Sequence, residues 1–466
     1  MRRVTPSTAA RTAPPARTAG IFSRRYLVTT AGTTALVFLS AFESLAVTTV
    51  MPLVSEDLGS RDTYATAFAA TLAASVLGMV AAGGWSDRRG PGRPLLVAVA
   101  VFCAGLLAAA LAPSAGVFVA ARFLQGLGAG GISVTLYVLV ALAYPPALRP
   151  AVFGAFAAAW VVPSFVGPPL AALVAETFSW HWVFTGVLLL VLVAAGAVLP
   201  TLLRVRPTTT TTDPFPRSRF LAAAGVSLAV VALSSAAAAG RWRWLAAVVA
   251  VVVLVAAVRP LLPPGTLTAH RGLPATVLLR GLLAATFFST EVYLPLMLHE
   301  RFGVRLALAG SVLTAAALAW AGASAVQGRM GSRLPHARAV RVGTVLLLAG
   351  VAAQAAVAVL GPGVLVAALA GSAGWFLAGA GMGLGFPRTT VLVLEQSAPG
   401  QEGAGSAALT ISDATGGGTA TALTGLVFAA VSAASARAGF AVTLGLCVAF
   451  AVAALVVARR VSQPAH

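Results

Sequence analysis

Six ionisable residues stand inside otherwise apolar runs of this chain: Glu43, Arg122, Arg280, Glu291, Arg388 and Asp413. A charge at the centre of a membrane-spanning helix costs roughly 2.5–3.5 kcal/mol on insertion scales. Such residues therefore face a partner or a polar cavity. Two chemistries are open to the carboxyl groups. Burial disfavours the charged form of a carboxyl, which brings proton uptake and release into the range of a membrane gradient. A buried carboxylate can also hold a cation. Arg122 would be a counter-ion that tunes a proton site, and Glu291 could instead form a structural ion pair with Arg280. The nearby aromatic residues Phe42, Trp160, Phe287, Phe288, Tyr293 and Trp320 would suit a greasy or cationic ligand. They would equally serve ordinary helix packing.

Composition supplies the elements that must position these groups. Of 466 residues, 59% are hydrophobic and 9% are charged, against roughly 25% charged in soluble domains. Uncharged apolar runs of about 20 residues recur along the chain, long enough to cross a bilayer core. Their spacing predicts helices over 27–54, 62–84, 94–112, 116–143, 150–175 and 181–203. Two more follow at 220–239 and 242–259, then six at 273–299, 304–328, 340–360, 363–394, 403–434 and 437–458. The chain therefore reads as an all-α membrane protein with fourteen spans. A disordered cytoplasmic tail occupies 1–25 and a first six-helix bundle 26–203. A linker with two extra helices covers 204–262, and a second six-helix bundle 271–460.

The net charge of +19 comes from 31 arginines against 12 acids, with no lysine. The arginines lie between apolar runs rather than along one face, which argues against nucleic acid as a partner. Without lysine there is no P-loop to reach nucleotide phosphates. Taking the N-terminus as cytoplasmic, 22 arginines fall in cytoplasmic segments and six in outer loops, as the positive-inside rule requires. Both termini are then cytoplasmic. An odd number of inserted helices would turn the Arg329–Arg341 cluster outward, so an insertion of two is preferred. Cys103 and Cys447 sit in apolar runs with no ligand neighbours and read as small buried hydrophobes. His299–Glu300 lacks the second histidine of a zinc site, and no catalytic cluster converges. No enzyme activity, metal or cofactor is expected.

The chain repeats itself. "RFLQGLGAGG" from Arg122 matches "WFLAGAGMGLG" from Trp375, so that Gly126, Gly128 and Gly130 fall on Gly379, Gly381 and Gly383. "MPLVSEDLG" near the start resembles "LPLMLHERFG" in the second half. Parallel repeats around an insert are a transporter architecture. Four stretches add a family likeness. "GGWSDRRGPGR" at 83–93 resembles a G-x-x-x-D-R-x-G loop through Gly83, Asp87, Arg88 and Gly90, with Arg93 following. "RFLQGLG" resembles R-x-x-Q-G-x-G through Arg122, Gln125, Gly126 and Gly128. "PSFVGPPLAA" resembles the antiporter motif g-x-x-x-G-P-x-x-G-G through Gly167 and Pro168, with Pro163 at the first glycine and Ala171 and Ala172 at the last two. "ESLAVTTVMP" resembles D-x-T-x-x-x-x-A-x-P, with Glu43 for Asp, Leu45 for Thr and Pro52 in register.

On these residues the chain resembles the major facilitator superfamily and, within it, the fourteen-helix drug–proton antiporters. The resemblance implies a major facilitator fold of two six-helix bundles with two extra helices between them. It also implies proton-coupled export of small amphipathic or cationic compounds by alternating access, from a monomer in the plasma membrane. Import or export of one metabolite by the same fold is the alternative. Proton coupling falls to Glu43 first, with Asp413, Glu291 and Arg122. Asp87, Arg88 and Arg93 would latch the cytoplasmic side to the facing half, or serve only to orient the chain. Phe42, Gln125, Trp160, Phe287, Phe288 and Tyr293 would line the substrate cavity, and the pair of helices at 220–259 would be peripheral.

Overall fold

The computed structural model describes residues 20–59, 64–145, 148–204, 217–330, 333–361, 363–398 and 401–462. Most of the expected tail (1–19) and of the linker (205–216) lies outside the described residues. Fourteen helices long and apolar enough to cross a membrane are present, and the described residues contain no strand. The first half comprises α1 (Leu27–Asp57), α2 (Tyr64–Arg89), α3 (Gly92–Ala110), α4 (Ala115–Ala143), α5 (Arg149–Thr177) and α6 (Trp180–Arg204). The inserted pair is α7 (Arg217–Ser234) and α8 (Arg243–Val258), joined by a 3-10 turn at Ala236–Trp242. The second half comprises α9 (Leu273–Phe302), α10 (Leu306–Met330), α11 (His336–Leu360), α12 (Val364–Gln396), α13 (Glu402–Ser432) and α14 (Ala436–Val457). Fourteen crossings bring both ends of the chain to one face, called here the terminal end.

The two halves are built alike. In the first, α2, α3 and α4 pack together, α1 lies on α5 and α6, and α3 meets α6. The second repeats each pairing eight helices later: α10 and α11 on α12, α9 on α13 and α14, α11 on α14. The glycine repeat is the reason. A Cβ on Gly126 or Gly130 would strike the α2 backbone at Thr71 or Ser75, and one on Gly379 or Gly383 would strike the α10 backbone at Ala316 or Trp320. Gly128 and Gly381 turn the other way, onto α3 and α11. With no hydrophobic drive between helices in lipid, close backbone approach is what holds such pairs. Several buried hydroxyls are met within their own helices; Thr33, Thr135, Thr290 and Thr424 each donate to a carbonyl one turn back.

The halves meet along two seams, α2 against α13 and α5 against α10. At the end opposite the termini, Tyr64 donates to the Val292 carbonyl at 2.9 Å and its ring lies 6.3 Å from that of Tyr293. Gly310 packs directly on Thr49, and Gly425 on Ala65. The inserted pair divides in its placement. Among the described helices, α8 packs chiefly on α7, whereas α7 packs on both α2 and α13 and so sits on a seam rather than at the periphery.

If the glycines set the helix spacing, Gly379→Val should lower thermal stability in detergent by about 1–3 kcal/mol or more, the usual cost of overpacking. Gly186→Val, whose Cβ would meet nothing within 4 Å, should leave the midpoint unchanged. Equal midpoints for the two variants would refute the account.

Candidate functional site

Glu43 lies midway along α1, and Arg122 about two turns into α4. Their side chains form an ion pair that is 6% and 4% exposed. Arg122 Nη1 donates to Glu43 Oε1 and, at 2.7 Å, to Gln125 Oε1 one turn further on. Thr71 of α2 donates to the Arg122 carbonyl at 3.1 Å. The group thus ties α1, α2 and α4 together within one half. Arg122 Nε and Gln125 Nε2 are buried without a partner among the described residues. If Glu43 loses its charge, Gln125 Oε1 remains the acceptor for Arg122.

A second pair lies in the other half, nearer the terminal end. Arg280 is about two turns into α9, and its Nη2 stands 3.3 Å from Asp413 Oδ2 of α13. Arg280 Nη1 donates to the Phe386 carbonyl at 2.9 Å, to Thr389 Oγ1 at 3.1 Å and to Thr390 Oγ1 at 3.3 Å, and its guanidinium lies over the Phe386 ring. The alternative pairing of Arg280 with Glu291 is not the one formed, because Asp413 is presented across the α9–α13 interface while Glu291 lies about three turns further along α9. Asp413 Oδ1 is buried with no partner among the described residues. Across the space between the halves, Tyr137 of α4 faces Arg280 and interacts with its charge. Tyr137 stays 57% exposed, so the halves stand apart here.

Glu291 differs from both. Among the described residues it has no hydrogen-bond or ion-pair partner, and it is half-buried. It shares a helix face with Phe288, one turn earlier, and Phe288 meets Leu72 of α2 beside Gly417 of α13. The next residue, Val292, carries the carbonyl that Tyr64 closes upon. Glu291 therefore lies immediately before the closed contact between the halves, on the side toward the terminal end.

The other sequence-predicted residues are dispersed. Phe42 packs against Gly167 of α5 and stacks on Phe38, Trp160 is half exposed, and Pro163 and Pro168 lie inside α5. Gln125 is wholly buried and serves the Arg122 pair. Phe287 is stacked on Trp375 and edge-on to Trp320 within the second half. Tyr293, 1% exposed, belongs to the closed contact at the far end. The ionic turn is mostly helix: Gly83, Asp87 and Arg88 are in α2, Arg93 is in the first turn of α3, and only Gly90 and Pro91 lie between. Gly90 ends α2 with φ of 75° and its N–H on the Ser86 carbonyl, a left-handed stop. Asp87 has Arg88 and Arg219 of α7 in electrostatic contact. Arg388, also buried, donates to Gln327 of α10 and to His336 Nδ1 of α11, and so braces three helices of one half.

The sequence did not single out Tyr137, Phe153, Phe156 or Phe386. The first three form one aromatic cluster, with Tyr137 and Phe153 stacked at 5.1 Å. The i, i+3 spacing of Phe153 and Phe156 was legible, but their meeting with a residue of another helix was not.

Residues 33–374 match the Major Facilitator Superfamily. The chain belongs to this superfamily. It is thus a multi-pass membrane protein. "Multidrug resistance protein 3" of Bacillus subtilis is 31% identical over 148 residues, which is 32% of this chain and 29% of that protein. "Multidrug efflux pump SdrM" of Staphylococcus aureus is 26% identical over 152 residues, 32% of this chain and 33% of that one. The aligned stretch thus spans about a third of these relatives' length. Among solved structures, the POT family transporter PepTSo superposes with a TM-score of 0.68 at 15% identity, covering 94% of this chain and 99% of that one. Another POT family transporter, in complex with 5-aminolevulinic acid, gives 0.66 at 13%, covering 93% and 97%. These two share the fold.

Breaking a buried pair costs about 3–5 kcal/mol because one charge is stranded. An arginine cannot shed its proton, while a carboxyl can gain one. Glu43→Gln should therefore lower the thermal midpoint more than Arg122→Leu, and only the loss in Arg122→Leu should shrink at acid pH. Thermal scans at pH 5 and pH 8 check this; equal, pH-independent losses would contradict it.

Proposed function

We propose that this transporter exports small amphipathic cations in exchange for protons by alternating access. One observation carries the reading: among the described residues, two of the three carboxyl groups at membrane depth are held by arginines within a half, while Glu291 is unpartnered beside the closed contact between the halves. A carboxyl there can hold a proton or a cationic ligand, and binding of one disfavours the other. Linkage makes that competition reciprocal, so proton entry from one side drives ligand release to that side. The relatives named as multidrug and efflux proteins support the same direction.

Glu43 and Arg122 would form a second proton site. When Glu43 takes a proton, Arg122 keeps its hydrogen bond to Gln125 but loses its counter-charge, and that cost favours a change of conformation. The halves meet at one end and stand apart at Tyr137 and Arg280, which is one of the two states that alternating access requires. Phe42 and Trp160 of the sequence set, with Tyr137, Phe153 and Phe156, supply apolar and aromatic surface for a flat cation. The arginine bias supports a topology with both termini in the cytoplasm, which suits a transporter of the cell membrane. The pathway lies between the halves of one chain, so a monomer suffices.

Ethidium serves as the test probe, with the protein in proteoliposomes. In the parent, ethidium should bind more tightly as pH rises and a carboxyl loses its proton. Glu291→Gln should abolish that dependence and stop transport driven by a pH gradient, and Glu291→Asp should keep both. Normal, pH-dependent pumping by Glu291→Gln would overturn the assignment. Uptake into inverted vesicles with an acid interior establishes export; accumulation only in right-side-out vesicles would favour import.

A further inference from the structure

We propose that α7 is a strap over the α2–α13 seam, fastened to α2 and free to slip on α13, so that it travels with the first half when the halves rock. This goes beyond the transport reading and rests only on relative movement of the halves, not on which solute is carried.

The two faces of α7 are chemically unlike. Toward α2 its attachments are polar and spread along its length. Near its start, Arg219 stands in electrostatic contact with Asp87. At its middle, Ser227 donates to the Ala73 carbonyl at 2.6 Å. At its end, the Ser234 carbonyl accepts from Thr66 at 3.1 Å. The two hydrogen bonds are directional, and Ser227 and Thr66 are buried. In lipid a freed carbonyl or hydroxyl finds no water, so such bonds resist being broken one residue at a time. Toward α13 the described contacts are apolar and smooth: Val230 against Gly418, with Ile411 and Ala414 in the same cluster. Dispersion contacts of this kind can be exchanged for equivalent ones as surfaces slide.

The pair is also tied to the second half, but by the chain itself. After α8 a short turn at Arg259–Leu261 leads toward α9, and Leu262 packs on Val277, Val393, Ala408 and Leu409 of that half. Among the described helices, α8 packs chiefly on α7. Any displacement between the halves is thus taken up on the α7–α13 face and in the lightly held α8. The other seam, α5–α10, has no added helix across it. Asp87 acquires a specific role in this arrangement: the acid of the ionic turn anchors the inserted helix.

The test uses the full chain in nanodiscs with Cys103 and Cys447 replaced by alanine. One variant carries V230C and G418C, where a Cβ at 418 would lie 3.5 Å from the Val230 side chain. The other carries S227C and A73C. Each pair is bridged with a short bis-methanethiosulfonate, and amide hydrogen exchange is read at residues 64–70 and 292–298, where the halves close. Tying α7 to α13 should slow exchange there by about tenfold or more, because opening is blocked. Tying α7 to α2 should leave it within about twofold, and reduction should restore the first variant. The proposal is overturned if the α2 tie also slows exchange, or if the α13 tie does not. Should either pair fail to bridge, R219Q/S227A/T66V serves instead. Exchange in α7 should then rise about fivefold or more while residues 411–426 of α13 stay within about twofold; unchanged α7, or α13 loosened equally, overturns it. No solute or gradient enters these readouts, so their failure is distinct from failure of the transport reading.

Discussion

A buried arginine cannot give up its charge, and everything at membrane depth in this chain is arranged around that constraint. Arg122, Arg280 and Arg388 each stand where water is scarce, and each is surrounded by acceptors from other helices of its own half. Glu43 and Gln125 serve Arg122; Asp413, Thr389, Thr390 and the Phe386 carbonyl serve Arg280. A lone charge there would be costly, so these clusters fix which helices lie together and at what height. They make each half a rigid body.

Rigid halves leave the function to what lies between them. The contacts that join them at the closed end are a tyrosine hydroxyl on a carbonyl, small residues in close approach, and Glu56 facing His299 at 3.8 Å. None involves the arginine clusters. The halves can therefore separate there without stranding a charge inside either one. Glu291 occupies the boundary between the closed end and the open space, and its lack of a protein partner leaves it to respond to whatever enters.

The inserted pair modifies this plan without altering its symmetry. The pairings within each half repeat eight helices later, and the two seams are related in the same way, but only one seam carries an extra helix. A transporter with an unequal pair of seams has one side on which the halves separate against lipid and one on which they separate against protein.

The fourteen spans, their division into six, two and six, and the repeat of the glycine motif were legible in the sequence, because each rests on local composition or on spacing within one helix. Twenty apolar residues form a spanning helix wherever they are put, and glycines at every second position imply two close neighbours. The arginines and carboxylates were legible as groups needing partners. Which partner each would take was not. Asp413 rather than Glu291 meets Arg280 because α13, and not the next turn of α9, faces it. Gln125 supports an ion pair and Phe287 stacks in a core, although their types suited a cavity wall. The turn at 83–93 is mostly helix because Gly90, and not the first charge, ends α2. The aromatic cluster of Tyr137, Phe153 and Phe156 joins two helices whose angle no single segment encodes. Sequence determined which groups are costly in lipid; only the packing of helix on helix decided which of them are matched and that Glu291 is left free.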